Sequence, residues 1–569
     1  MNKNFVLKNN IVYSLSKLEK FRLENKEELE EFKEDNPLDI LKYERKGNRN
    51  WLDIQITGKC NLRCAHCYMG EKNPFEIPFS KLKKVFNSSR KLGIYEVILS
   101  GGEATLHKDF IKIVNFLNKN RFRIVIVTNG VNFDKFLPYL KNKIYKIIFS
   151  LDGFKEDYEK IRGYSFERIV KIIKKTKEEG FNIRINAILH SNLVNYCKKF
   201  KDFVKNELDC EVTFLPVADS GYAKNNKWLN ADLSVVGNIM KEVGCFSDKS
   251  KCEFYYNKLS IDYRGYIYPC QFFREIDSYR LGNILEDDLY NLIKKIDALN
   301  LIPKTDGSSC LGCKDLKKCG AGCRGRALAY NCDPNTPDPF WHDIFTGKKT
   351  DKEVFPILKN PLYEKIGYTK YPSSKKLTDY YKKIIIGLKP KTLMEIGCGN
   401  GNFLLEFSEN IPGRCLGIDK SSNMLKNAKK RKNVEFLVGE IKDLKEHFDV
   451  SIAIYSLFNH FKSKEEILDF FEKLSKLSDY FIFDVNNYDL FKKESLIKED
   501  YDELSMEEYV RQSTNLIYSL RKYKQNGKEY FYGSSWPKIN WDAFLKKYGT
   551  FLKINIGSRI IYQLKFYNA

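Results

Sequence analysis

A chain of 569 residues has room for two to four domains, each with a sizeable core. Its 43% hydrophobic and 30% charged residues are the balance of a globular protein. No apolar run reaches the length of a membrane span, and the opening MNKNFVLKNN lacks a signal-peptide core, so a cytoplasmic protein with no membrane partner is predicted. The net charge of +23 invites a polyanionic partner. Lysine, however, is spread over nearly every helical segment, and no Arg-rich arm or RNA-binding module stands out. A solvated basic surface is expected, and a nucleic-acid partner is not. Fifteen cysteines without a secretion signal point to metal ligation in a reducing compartment rather than to a disulfide framework.

Residues 1–49 form an N-terminal extension with one charged amphipathic stretch, 15–32, ending in the turn-like Asp35-Asn36-Pro37. It reads as a packing helix, with a short docking element for a substrate peptide as the alternative. Residues 57–68 follow, TGKCNLRCAHCY, where Cys60, Cys64 and Cys67 are spaced CxxxCxxC. A structural zinc site wants four tetrahedral ligands, commonly from two CxxC pairs. Three thiolates in one short loop suit instead a [4Fe–4S] cube with one iron left open. His66 reads as a packing or hydrogen-bonding residue, not a ligand.

From residue 50 to about 216, short apolar runs (52–56, 97–100, 123–128, 147–151, 183–188 and 212–215) alternate with lysine-rich amphipathic runs such as 79–92 and 166–179. Six strand–helix repeats predict parallel strands joined by right-handed crossovers. Functional residues then belong just after strand C-termini. Ser100-Gly101-Gly102-Glu103, Thr128-Asn129-Gly130 and Ser150-Leu151-Asp152-Gly153 occupy those places after the second, third and fourth strands.

The CxxxCxHCY loop together with these turns resembles the radical S-adenosylmethionine (SAM) superfamily. That resemblance implies a partial (β/α)6 TIM-like barrel over 50–235. Gly101, Gly102 and Glu103 would hold the methionine ammonium of SAM, Ser150 and Asp152 the ribose, and Asn186 on the fifth strand would be a further contact. Arg162 would reach the SAM carboxylate or the substrate. Reductive cleavage of SAM at the open iron would yield a 5′-deoxyadenosyl radical, fed by an electron donor such as flavodoxin or ferredoxin.

A second cysteine field spans 236–345. Asp262 to Cys270 (DYRGYIYPC) reads as a hairpin around a Gly turn that delivers a thiolate at its end. Cys310, Cys313, Cys319 and Cys323 follow as CxxCxxxxxCxxxC, with Cys332 beyond. Zinc is the generic reading of such a run. Placed after this core, the run and the Leu281-Gly282-Asn283 segment resemble the SPASM extension, which implies two auxiliary [4Fe–4S] clusters. By order, Cys245, Cys252, Cys270 and Cys323 would ligate one, and Cys310, Cys313 and Cys319 the other. Its fourth ligand departs from the family's DPxC, since Asp338-Pro339 is followed here by Phe340-Trp341. Cys332 is the nearest thiolate, with Asp338 and His342 as oxygen and nitrogen alternatives. Cys197 and Cys210 lack ligand spacing and read as packing residues.

After a linker at 346–375, a fresh α/β series occupies 376–569. A strand at 392–396 runs into Glu395-Ile396-Gly397-Cys398-Gly399-Asn400-Gly401, and the next, 415–418, closes on Asp419. A Gly-rich strand-to-helix turn with an acid after the following strand reads as nucleotide binding, a GxGxxG dinucleotide site being the rival. The ExGxGxG form resembles class I SAM-dependent methyltransferases, which implies a Rossmann-like seven-stranded sheet. Gly397, Gly399 and Gly401 would pass under the methionine part, with Glu395 the acid ahead of them. Asp419 would bind the ribose hydroxyls and Glu440 would reach adenine. Further strands are expected at 434–438, 450–455 and 480–484, and runs 551–556 and 559–566 fit a closing antiparallel hairpin. Cys398 and Cys415 read as packing residues. Asn459, His460 and residues 484–487 would follow strands facing the site, with His460 the candidate base and 530–541 a lid or ordinary packing.

SPASM relatives commonly modify ribosomally made peptides and some act on tetrapyrrole side chains, so these resemblances imply an α/β fusion enzyme with a peptide or small-molecule substrate, active in peptide or natural-product maturation. Tetrapyrrole or other small-molecule modification is the alternative, RNA modification a third, and an iron–sulfur redox or SAM sensor the non-enzyme reading.

Overall fold

The computed structural model describes residues 49–217 apart from 71, and then 221–229, 258–274, 279–299, 322–323 and 325. It also describes 374–567 apart from 427, 430, 455–456, 462, 488–493, 502–503, 513–515, 526–527 and 557–558, and four strands between residues 5 and 42. The chain divides into two compact units, Met1–Ile357 and Leu358–Ala569. Among the described residues no helix is long and apolar enough to cross a membrane.

The first unit opens with β1 (Phe5–Lys8), β2 (Ile11–Ser14), β3 (Lys20–Arg22) and β4 (Ile40–Lys42), forming a sheet of order β3-β2-β1-β4. β1 to β3 are an antiparallel meander, and β4 returns parallel to β1. This corrects the expectation of a packing helix over 15–32, since β3 lies inside that stretch. The FVLK and IVYS runs are β-branched and aromatic enough to pair as strands despite their brevity.

Six parallel strands follow: β5 (Trp51–Gln55), β6 (Glu96–Ser100), β7 (Arg123–Thr128), β8 (Lys146–Ser150), β9 (Ile183–Leu189) and β10 (Glu211–Pro216). They pair in sequence order, as the periodicity predicts. One face of the sheet is apolar and buried, through Leu52, Ile54, Val97, Leu99, Ile124, Ile126, Ile147 and Phe149. Helices cover that face because their own apolar residues recur at helical spacing. In α1 (Phe79–Lys91) Leu82, Val85, Phe86 and Ser89 are buried, and in α4 (Phe166–Glu178) Ile169, Ile173 and Thr176. Between these two lie α2 (Phe110–Lys119) and α3 (Lys155–Arg162), and α5 (Leu193–Leu208) follows β9. The opposite face of the strands carries half-buried polar residues, among them Asp53, Ser100, Ser150 and Asn186.

The sheet continues past β5 into β11 (Lys258–Ile261), β12 (Tyr266–Tyr268) and β13 (Gly282–Asn283). β11 runs parallel to β5, while β12 and β13 are antiparallel, so the predicted hairpin is built directly onto the barrel sheet. Asp262 shapes its turn, accepting from Arg264 N and Tyr266 N. α6 (Leu289–Leu299) then packs back, and Asp297 takes a two-pronged ion pair from buried Arg49 at 2.8 and 2.9 Å. Cys245, Cys252, Cys310, Cys313, Cys319, Cys332, Asp338 and His342 lie outside the described residues, as does nearly all of the 346–375 linker.

The second unit begins with α7 (Ser374–Leu388) and a seven-stranded sheet of order β16-β15-β14-β17-β18-β24-β23. Its strands are β14 (Leu393–Ile396), β15 (Cys415–Asp419), β16 (Val434–Val438), β17 (Phe448–Ala453), β18 (Ser478–Asn486), β23 (Gly549–Ile556) and β24 (Arg559–Phe566). β14 to β18 are parallel, and β24 enters antiparallel to both β18 and β23, as the expected closing hairpin. Between β18 and β23 stands a separate antiparallel meander: β19 (Glu494–Tyr501), β20 (Leu504–Gln512), β21 (Leu516–Gln525) and β22 (Lys528–Pro537). The sequence reading did not anticipate it; of the two readings left open for 530–541, lid or ordinary packing, Trp541 fits packing. Residues up to Pro537 are a strand, and Trp541 packs into the core from a short helix.

The core of this unit is aromatic. Phe458 lies among Phe483, Phe471, Phe461 and Trp541, with ring centroids 5.0, 5.6, 5.4 and 4.6 Å away. It thereby anchors the Leu457–His460 turn that follows β17. Phe458→Ala is expected to cost the second unit about 3–5 kcal/mol, measured as a fall in its urea midpoint; a change within error would show that the ring is not the anchor.

Candidate functional site

The Cys60–Cys67 loop is tied to strand ends by backbone pairing. Gly102 N donates to Thr57 O at 2.9 Å and Glu103 N to Lys59 O at 2.7 Å. A Cβ at Gly102 would stand 2.3 Å from Lys59 O, and one at Gly101 2.5 Å from Thr57 O, so only glycine admits the loop so close. Glu103 is buried beneath this contact. Its Oε1 accepts from Thr105 Oγ1 (2.8 Å), Thr128 Oγ1 (2.9 Å) and, at 3.3 Å, Thr105 N, while among the described residues Oε2 accepts only from Asn129 N at 2.7 Å. Burial pushes its carboxyl above the usual range, against these four donors. Asn129, which the sequence reading left among the turn residues without a role, donates to Asn61 Oδ1 at 2.8 Å and so joins the end of β7 to the loop.

The three thiols lie close together: Cys67 adds to the rise at both Cys60 and Cys64, and Cys60 adds to that at Cys64. Burial lifts Cys60, and lifts Cys64 to about 11, with Arg162 opposing the rise at Cys64. Among the described residues no three such side chains form a cage for a single metal ion. Thiols spaced along one loop fit the corners of a multi-iron body better than one ion's tetrahedral shell. The donor set, the glycine cradle and a buried His66 Nδ1 with no hydrogen-bond partner all fit a cluster seated here. Burial lowers His66 to about 4, consistent with a neutral neighbour of the loop.

Arg162 and Asp152 form a buried pair, Nε to Oδ2 at 2.6 Å, and Arg162 Nη1 lies 3.8 Å from Cys64 Sγ. Asp152 Oδ1 accepts from Ile188 N at 2.8 Å. Burial would raise the Asp152 carboxyl, but Arg162 and then His66 hold it below the usual range. Both Asp152 oxygens are thus engaged within the protein. Ser150 and Asn186 are direct register partners on β8 and β9, side by side on the polar face. In the second cysteine field, Cys270 is buried at the end of the hairpin, and Gly325, beside Cys323, packs against Phe272 in the turn that follows Cys270.

The second unit presents another site at the β14 end. Gly397, Gly399 and Gly401 all hold positive φ, 72°, 56° and 76°. A Cβ on Gly401 would meet the Phe436 ring at 2.3 Å. Asp419 braces the loop, with Oδ2 accepting from Gly399 N and Oδ1 from Ser421 N, both at 2.8 Å. Glu395 is buried, and its Oε2 has no hydrogen-bond partner. Burial, with a smaller push from Asp419, raises its carboxyl to about 8. Glu440 follows β16, beside Asp419 through Gly439 N to Asp419 O at 3.0 Å, and pairs with Lys420 and Lys442, both at 2.9 Å. Leu457 approaches Gly397, which brings the turn carrying Asn459 and exposed His460 to the loop. Asp484 and Asn486 lie within β18 rather than after it. Asp484 accepts from Tyr381 Oη at 2.9 Å, and both pair with Arg559. They are held by the fold and do not face the site freely.

Residues 54–194 match the radical SAM superfamily model, 252–314 the SPASM iron–sulfur cluster-binding domain and 389–532 a methyltransferase domain. Fe-coproporphyrin III synthase of Methanosarcina barkeri is 26% identical over 187 residues, 32% of this chain and 46% of that protein. Mycofactocin maturase MftC of Mycobacterium tuberculosis is 22% identical over 322 residues, 51% of this chain and 81% of its own. The structure of Streptococcus suis SuiB bound to precursor peptide SuiA superposes at a TM-score of 0.43 with 20% identity, over 52% of this chain and 76% of that one. The chain thus spans under half the length of the first relative. These matches show a radical SAM domain, a SPASM domain and a methyltransferase domain in one chain, and the first two imply [4Fe–4S] clusters and SAM.

Proposed function

We propose that the chain is a bifunctional enzyme that uses SAM in two ways on one peptide or peptide-derived natural product. Hydrogen abstraction would occur in the first unit and methyl transfer in the second. The observation that carries this reading is the pairing of a thiol-bearing loop against the Gly101–Glu103 turn in one unit with, in the other, a buried carboxylate under a glycine loop whose Oε2 has no hydrogen-bond partner among the described residues. A cluster on Cys60, Cys64 and Cys67 supplies, when bound, the one-electron reduction that cleaves SAM to a 5′-deoxyadenosyl radical.

The residues around it would bind and orient. Glu103 Oε2, with one donor, keeps room for an ammonium N–H, while Thr105 and Thr128 fix Oε1. Arg162, aimed by Asp152, offers its remaining N–H groups to a carboxylate. Ser150 and Asn186 present neighbouring polar groups suited to ribose hydroxyls. By the resemblance, Cys245, Cys252, Cys270 and Cys323 would hold one auxiliary cluster, and Cys310, Cys313, Cys319 and Cys332 a second.

In the second unit Glu395 would pair with the SAM ammonium, Asp419 with the ribose and Glu440 with adenine. Methyl transfer needs little beyond in-line orientation, which proximity can supply at about 7–11 kcal/mol of the barrier. His460 is the candidate base. The peptide reading rests on the resemblance to a family whose members mature ribosomal peptides, and on similarity to a protein named a maturase. Similarity to a tetrapyrrole-named enzyme keeps a small-molecule substrate as the second reading. A small precursor-peptide gene beside this one would favour the first, and its absence the second.

With dithionite and SAM, reconstituted wild-type chain is expected to form 5′-deoxyadenosine and Cys64→Ala none; product from the variant would refute the assigned cluster loop. Gly399→Arg should stop S-adenosylhomocysteine formation and leave deoxyadenosine intact, and loss of both would mean that the two halves are not independent.

Glu395 gives a pH test. Its carboxyl is raised to about 8 in the fold, so between about pH 4.5 and 8 the folded state holds a proton that the unfolded chain has released. Stability of the second unit should therefore fall as pH rises through that window. SAM, whose ammonium favours the ionised carboxylate, should bind this unit more tightly toward pH 8. Calorimetric titration of Glu395→Gln should show both slopes flattened; unchanged slopes would remove Glu395 from the site.

A further inference from the structure

Tyr68 directly follows Cys67, and Arg274 lies four residues beyond Cys270. The fold brings these two side chains together beneath the cluster loop. Arg274 is buried, and its guanidinium reaches three separate elements. Nε donates to Ser260 Oγ on β11 at 2.7 Å. Nη2 donates to Asp53 Oδ1 at 2.6 Å and to Asp53 O at 3.1 Å on β5. Nη1 donates to Tyr68 Oη at 3.3 Å. The array continues on both sides. Gln55 Nε2 donates to the same phenol oxygen at 2.6 Å, while Gln55 Oε1 accepts from Tyr263 N in the hairpin turn at 3.3 Å. Ser100 Oγ donates to Asp53 Oδ1 at 3.1 Å, from the residue just before Gly101.

A buried ion pair is an expensive way to pack two loops, since apolar side chains of similar volume are commonly as stable. What the guanidinium offers over them is a planar fork with fixed donor directions, which a lysine ammonium lacks. Here the fork fixes, at once, the backbone after Cys67, the strand before the Gly101–Glu103 turn and the hairpin that ends at Cys270. The phenol oxygen of Tyr68 receives two donors, one from Gln55 on β5 and one from Arg274, and so is placed to hold the loop.

We infer that Arg274 is a positioning residue that, through Tyr68 and Asp53, sets the SAM-cluster loop and the auxiliary-cluster hairpin in fixed relation to each other. This rests on the reading that Cys67 and Cys270 ligate clusters. The guanidinium also puts a permanent positive charge, balanced by Asp53, between the two loops. Its removal leaves Asp53 uncompensated and disfavours the reduced, more negative state of the nearby clusters.

The test uses the full chain, reconstituted anaerobically with iron and sulfide, as wild type, Tyr68→Phe, Arg274→Lys and Arg274→Met. Iron per chain, the electron paramagnetic resonance spectra of the reduced clusters, their midpoint potentials and the SAM-induced spectral change are read. Tyr68→Phe keeps the ring and the ion pair. It is expected to bind a full complement of iron, to shift the g-values of the SAM-responsive signal alone and to need about fivefold more SAM for half of the spectral change. Arg274→Met is expected to move the midpoint potentials of both the SAM-responsive and the auxiliary signals to more negative values. Arg274→Lys is expected to restore the potentials without restoring the g-values. Full iron with wild-type spectra and potentials in Tyr68→Phe and Arg274→Lys would overturn the inference, whether or not Arg274→Met folds. A wild-type chain that takes up no iron would overturn the underlying reading and this inference with it.

Discussion

The first unit depends on a contact that leaves no room for a side chain. The thiol loop lies along the Gly101–Glu103 turn so closely that a methyl group at either glycine would collide with a backbone carbonyl. Two backbone hydrogen bonds result, and they place three thiols over the C-terminal ends of parallel strands. Everything else at that end follows from holding the contact. Glu103 is buried under it and gathers Thr105, Thr128 and Asn129. Asn129 reaches back to the loop, and Arg162 and Asp152 close the side next to Cys64. A loop of reduced cysteines with no other task would not need glycines at both positions or a buried carboxylate behind them.

Under the proposed reading, the second unit would meet the same kind of ligand by different means. Its glycines are needed for left-handed backbone and for the Phe436 ring, and the loop is braced by one carboxylate, Asp419, while another, Glu395, is buried with its carboxyl raised to about 8. In the first unit Glu103 is surrounded by four donors from its own chain; in the second Glu395 has the Leu404 backbone N–H, and its Oε2 has no partner among the described residues. A cationic ligand that draws Glu395 into its ionised form offsets the cost of burying it. Both solutions put a carboxylate where an ammonium is expected, one on a barrel and one on a doubly wound sheet.

Much of this was legible in the sequence because it is local. Strands with one apolar face announced themselves by alternation, and the glycine turns fell where parallel strands end. The seven-stranded sheet and its closing hairpin at 551–566 were implied by the resemblance to class I methyltransferases that the glycine loop carries, while the strand order was not read from the sequence. The array of Asp53, Gln55, Tyr68 and Arg274 was invisible, because its members are separated by as many as 221 positions and each is unremarkable alone. The hairpin of β11 and β12 was expected but its place beside β5 was not, since a short strand says nothing about which edge it joins. The meander over β19 to β22 was hidden by its charges, as in LIKEDY and LRKYKQ. One signal there was readable: Asn526-Gly527 between β21 and β22 is the dipeptide favoured in two-residue hairpins. The strands near the N-terminus were too short and too charged to outweigh an amphipathic helical reading.

The central claim is that one chain holds two SAM sites of unrelated construction, one dependent on the thiol loop and one on the glycine loop. Equilibrium dialysis with labelled SAM tests it directly, using the full chain with and without reconstituted clusters. The account predicts two molecules of SAM per chain when clusters are present and one when they are absent. It also predicts one in cluster-loaded Gly399→Arg. A single SAM per chain in the reconstituted wild type, or binding that vanishes altogether when the clusters are withheld, would contradict it.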